Sequence, residues 1–135
     1  MACSPVLKEL GRRIREVIKS DEAYQILYDF GAKDWTTGGC QILAKSLKAW
    51  LGEVTPVFLV SENGYMHTVV RIDECYLDAD GASTARQLLK RWKTARKVKH
   101  IELEDARWDP SYTEEFSEII HRLVEILRQQ IDQGM

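Results

Sequence analysis

Apolar residues recur at intervals of three and four between Val6 and Lys19, where Leu7, Leu10, Ile14, Val17 and Ile18 form one stripe. The spacing predicts a helix with one buried face and a basic outer one. A second helix is predicted through Tyr24, Ile26, Leu27 and Phe30, capped by Ser20 and stopped by Gly31. In the loop from Ala32 to Gly39, Thr36 or Thr37 is the candidate cap for the next helix, and Gly38-Gly39 clears side chains from the backbone just before Cys40. This third helix is expected from about Cys40 to Leu51, ending at Gly52, with Cys40 on the stripe of Leu43, Ala44, Leu47 and Leu51.

The pattern then changes to short β-branched runs. Thr55 to Val60 reads as an interior strand, and Glu62-Asn63-Gly64 as a hairpin turn. Two further strands, about Tyr65 to Ile72 and Cys75 to Ala79, are joined by Asp73-Glu74. If that turn has two residues, Ile72 pairs with Cys75, and counting outward sets Val69 across from Asp78 and His67 across from Asp80. His67, Asp78 and Asp80 then share one face. Met66, Thr68, Val70, Ile72, Cys75, Leu77 and Ala79 take the other, which turns Cys75 away from the histidine.

Ser83 to about Arg96 is expected to be a helix, with Leu88, Leu89, Trp92 and Ala95 at helical spacing, and Val98 to Leu103 a last strand. After Asp109-Pro110, Glu114 and Glu115 open a long helix whose inner face is Phe116, Ile120, Leu123, Leu127 and Ile131. The class is therefore α+β, with helices packed on a small antiparallel sheet.

Composition narrows this. With 135 residues, 44% of them hydrophobic and 30% charged, the chain fits a single domain over 1–135. A formal charge of −2 argues against a general nucleic-acid binder. No apolar run approaches the roughly 20 residues that span a bilayer, and no leader pattern opens the sequence, so a cytoplasmic protein without membrane partners is expected. Cys3, Cys40 and Cys75 are odd in number and widely spaced, so a disulfide framework is not expected. Neither a cofactor nor a metal is expected: there is no C-x-x-C pair, and Cys75, which would complete a set with Cys40, His67 and an aspartate, faces away.

Candidate chemistry centres on Cys40. A thiol is nucleophilic as thiolate, which the positive end of a helix and a neighbouring imidazolium both favour. Cys40 has the first by position and His67 can supply the second, with Asp78 or Asp80 orienting the ring. The passages Thr37-Gly-Gly-Cys40, His67-Thr-Val-Val and Tyr76-Leu-Asp-Ala-Asp-Gly81 resemble, in their order, the papain-like and transglutaminase-like cysteine hydrolase superfamily. The resemblance covers roughly Thr36 to Gly81. It implies a papain-like core with the nucleophile at a helix N-terminus, a Cys-His-Asp triad, and peptide, isopeptide or other amide substrates. The motif favours Asp78 and the strand count favours Asp80; both stay open. Gln41 stands where papains carry tryptophan, and Asp34 where they carry the glutamine six residues before the cysteine. Trp35, Gly39 and Gln41 are accordingly the candidate substrate-binding residues.

A different class of function competes with this one. Arg86, Lys90, Arg91, Lys93, Arg96, Lys97 and Lys99 form a stretch without an acid. In that reading the chain is a non-catalytic binding or inhibitor protein that holds an acidic partner through Arg86, Lys90, Arg91 and Lys93.

Overall fold

The computed structural model describes residues 3–36, 38–106 and 117–132. Three helices come first: α1 (Pro5–Ile18), α2 (Asp21–Phe30) and α3 (Cys40–Leu51). Each starts and stops for a local reason. Ser4 caps α1 by accepting from the Leu7 N–H, with proline at the first helical position. Ser20 caps α2 in the same way, and Gly31 ends it in the left-handed conformation. The cap of α3 differs from expectation: Gly39 holds that position with no side-chain hydrogen bond, and Thr36 instead donates to the Asp34 carboxylate in a turn of its own. Thr37 lies outside the described residues.

Five antiparallel strands follow in the spatial order β4-β3-β2-β1-β5: β1 (Thr55–Ser61), β2 (Gly64–Ile72), β3 (Cys75–Asp78), β4 (Gly81–Thr84) and β5 (Ile101–Asp105). The expected pairing of Ile72 with Cys75 is present. The expected partnership of His67 with Asp80 is not. β3 stops at Asp78, which pairs with Gly81 across a two-residue turn, and Asp80 sits in that turn. β4 was not expected, and α4 (Ala85–Arg96) begins after it, at a capping box made by Thr84 and Gln87. The last strand is also displaced, from an expected Val98 to Leu103 to Ile101–Asp105.

The final helix, α5, spans Ser117–Leu127 and continues as a π-helical turn at Arg128–Asp132. Ile120, Leu123, Leu127 and Ile131 are buried as expected, whereas Glu114, Glu115 and Phe116 lie outside the described residues.

The sheet divides two cores. On one face α1, α2, α3 and α5 pack Ile14, Ile26, Leu43, Leu47 and Leu123 against Val70, Cys75 and Leu77. On the other, α4 brings Leu88 and Trp92 onto Val57, Leu59, Val69 and Tyr76. Gly11 lets α1 ride directly on β4, since a Cβ there would meet the Ala82 amide nitrogen at 2.4 Å.

This docking also explains a correction. Cys3 and Cys75 form a disulfide, with Cα atoms 5.2 Å apart, although they are 72 residues apart in sequence. Among the described residues Cys40 is the free thiol, and no helix is long and apolar enough to cross a membrane.

Candidate active site

The loop before α3 is held tightly. A Cβ on Gly39 would meet the Asp34 carbonyl oxygen and a Leu27 methyl, each at 2.6 Å, so only glycine lets the chain turn into the helix here. That turn makes Cys40 the first residue of α3, where backbone N–H groups have no intrahelical acceptor and the helix end is positive.

His67 lies on β2, the middle strand of the sheet. It is completely buried, and its Nε2 is 3.0 Å from Oδ2 of Asp78, itself 3% exposed. The other Asp78 oxygen accepts from the Asp80 backbone N–H at 2.9 Å. Trp92 of α4 stacks on the imidazole with centroids 4.2 Å apart. Arg91 donates to the Ser83 hydroxyl and sets Nη2 3.6 Å from Asp78, an ion-pair distance rather than a hydrogen bond. Asp78 is thus the aspartate joined to the histidine. Asp80 is not: its side chain is about half exposed and lies 3.8 Å from Arg91.

A bulge sets the other side of the site. Leu59 pairs with His67 but Val60 pairs with Tyr65, so Met66 is the extra residue. Tyr65 and Thr68, three apart, would point to opposite faces of a regular strand. With the bulge their hydroxyls lie 2.6 Å apart, and the Tyr65 hydroxyl is also 3.4 Å from the Cys40 sulfur and accepts from Gln41 Nε2 at 3.4 Å.

The electrostatics of the thiol and the ring point in opposite directions. Burial raises the Cys40 pKa, but the hydrogen-bonding and charge interactions of His67 outweigh it, aided by the Tyr65 hydroxyl and the Thr68 backbone N–H, and leave it below its ordinary value. For His67, burial disfavours the cation, yet Asp78 and then Cys40 push the pKa up to about 9. Nε2 is committed to Asp78, so Nδ1, which has no hydrogen-bond partner among the described residues, is the nitrogen left for the thiol. Each shift favours the charged form of its group, thiolate for Cys40 and imidazolium for His67. Tyr65 is pushed up to about 12, by burial and then by Cys40, and stays a hydroxyl donor through the neutral range.

Cys40 is 4% exposed, but it reaches a cleft of about 420 Å³ bordered also by Gln41, Ser61, Tyr65 and Arg96. Gln41 therefore lies beside the thiol, and Gly39 shapes the backbone just before it. Trp35 is not in this cleft: it is buried in the larger core and borders a separate hollow with Lys19 and Asp80. The basic stretch also divides. Arg86, Lys90 and Lys93 are exposed, whereas Arg91 turns inward to Asp78, Asp80 and Ser83.

Tyr65, Thr68 and Trp92 are neighbours of the site that the sequence did not single out. Only Trp92 left a signal there, as an apolar position on the predicted α4 stripe. Compared with family models, curated proteins and solved structures, the chain matches none.

Proposed function

We propose that this chain is a cysteine-nucleophile hydrolase or acyltransferase, built on a papain-like core and acting on a peptide, isopeptide or other amide bond. One observation carries the reading: a thiol at a helix N-terminus interacts with a buried histidine whose far nitrogen is 3.0 Å from a buried carboxylate.

In this mechanism the Cys40 thiolate attacks the substrate carbonyl carbon, and the carbonyl π electrons move onto oxygen. The Cys40 backbone N–H is one donor to that oxyanion. The second donor comes from Gln41 Nε2 or the Tyr65 hydroxyl, because Asp34 is a carboxylate that already accepts from Thr36. As the intermediate collapses, the C–N bond breaks and the imidazolium of His67 gives its proton to the leaving amine. Water or a second amine, deprotonated by His67, then displaces the thiolate from the thioester. Asp78 holds the ring and stabilises its charge.

The test is the rate of Cys40 alkylation by iodoacetamide across pH, set against a free-thiol standard. Because Cys3 and Cys75 are bonded to each other, labelling of the oxidised protein reports Cys40. The expected curve stays high below the ordinary thiol pKa. In His67→Ala, burial is opposed only by the Tyr65 hydroxyl and the Thr68 backbone N–H, so the pKa rises and the rate at pH 7 falls by about tenfold. A wild-type curve matching the free thiol refutes the reading.

The cytoplasmic setting belongs to this proposal and carries a condition: disulfides persist mainly in oxidising compartments, so the Cys3–Cys75 bond must resist cellular thiols.

The binding-protein alternative keeps one supporting observation, the exposure of Arg86, Lys90 and Lys93 on α4. Arg91 leaves that set. Charge reversal at Lys90 and Lys93 abolishes capture of an acidic partner under this reading, while Cys40→Ala leaves it intact.

A further inference from the structure

We infer that the cleft beside Cys40 is an anion subsite, and that the substrate carries a carboxylate close to its scissile carbonyl, held by Arg96. The inference rests on the nucleophile reading and adds the class of substrate to it.

Three observations support it. Among the described residues that line the cleft, Arg96 is the one ionic side chain besides Cys40 itself, and no carboxylate borders the space. The remaining polar lining, including Thr36, Gln41, Ser61 and Asn63, is neutral. The N-terminal end of α3 opens at the same cleft and adds positive potential.

Arg96 is also positioned. Its guanidinium carbon lies 5.2 Å from the Trp92 ring centroid, and Trp92 stacks on His67, so one indole holds both the imidazole and the arginine. No carboxylate among the described residues pairs with Arg96, in contrast to Arg91 earlier on the same helix, which Asp78 and Asp80 engage. An exposed guanidinium laid over an aromatic face, without a counter-ion among the described residues and at the rim of a space that none of their carboxylates borders, is arranged for a carboxylate from outside.

Two alkylating agents that differ in charge test this on the intact protein. The ratio of Cys40 rates with iodoacetate and iodoacetamide reads the potential at the sulfur, whatever the absolute reactivity. The ratio is expected to fall about threefold in Arg96→Ala and about tenfold in Arg96→Glu, to recover in Arg96→Lys, and to weaken with added salt. Lys8→Glu, an equal charge change on the exposed face of α1, leaves it unmoved. An unchanged ratio in Arg96→Glu overturns the inference even if Cys40 is fast with both reagents. Conversely, slow alkylation by both with the ratio still dependent on Arg96 refutes the nucleophile and keeps the anion subsite.

The source of the carboxylate is read by protecting Cys40 from iodoacetamide. Protection by N-acetylglutamic acid α-amide indicates an acidic side chain, and protection by N-acetylalanine a chain terminus. Equal protection by neutral N-acetylglutamine amide, or none by either carboxylate, overturns the proposal.

Discussion

The two faces of the sheet are built to different rules. Beneath α1, α2, α3 and α5 the contacts are almost wholly aliphatic, and the disulfide fastens the start of the chain to them. Beneath α4 the core is small, and within it lie a buried imidazole, a buried carboxylate and an indole. Burying a charged group is costly unless it is partnered, so the smaller face carries an ion-pair network that the larger one supports without sharing. The comparison separates stability from chemistry: damage to the first face should unfold the protein, and damage to the second should retune it.

The largest expected effect on stability is therefore on the aliphatic side. Ile14 is fully buried there, and Ile14→Ala should cost about 2 to 5 kcal/mol in chemical denaturation. The pH dependence of Cys40 alkylation should remain that of the wild type, and a displaced curve would break the division between the faces. Next comes Cys3→Ser, expected to cost about 2 to 4 kcal/mol because it releases a loop-closing bond. Reductant should destabilise the wild type and leave this variant unaffected.

On the other face Asp78→Asn should act mainly on titration. His67 has a folded pKa of about 9 against an ordinary value of 6.5, so its cation contributes stability in full below 6.5, and that contribution is lost as pH rises through about 9. Removing the carboxylate removes the largest upward influence on the ring, so burial pulls the pKa down. Histidine ring NMR should record the drop, and the fall in stability between pH 6.5 and 9 should flatten.

What was legible in the sequence divides in the same way, between local and distant causes. The stripe of α1, the Ser20 cap and Gly31 stop of α2, and the pairing of Ile72 with Cys75 across a two-residue turn are set by neighbours in the chain, and they stood as expected. Asp80 was misplaced because the strand count ran past Asp78, where a tight turn leading to Gly81, with φ of 106°, stops β3. Four residues of β4 were too short to show alternation beside the capping box that opens α4. Tyr65 reaches the thiol through a bulge whose register is set by β1, and Cys3 meets Cys75 only after α1 has docked, so neither had a local signal. Likewise, nothing in a run of basic residues distinguished the inward Arg91 from the exposed Lys90.

The smallest expected effect tests whether α4 does more than cover the sheet. Trp92 is buried, but its Nε1 has no hydrogen-bond partner among the described residues, so Trp92→Phe sacrifices none of their bonds. An aromatic ring remains to stack on His67, and the stability loss should be about 1 kcal/mol. Phenylalanine is a weaker platform for a guanidinium than indole, so Arg96 should be less well held. The ratio of iodoacetate to iodoacetamide rates at Cys40 should then fall by less than in Arg96→Ala, while the pH at which the thiol becomes reactive moves little. A large shift in that pH would mean that the indole tunes the imidazole directly, and the roles assigned to Trp92 and Asp78 would have to be exchanged.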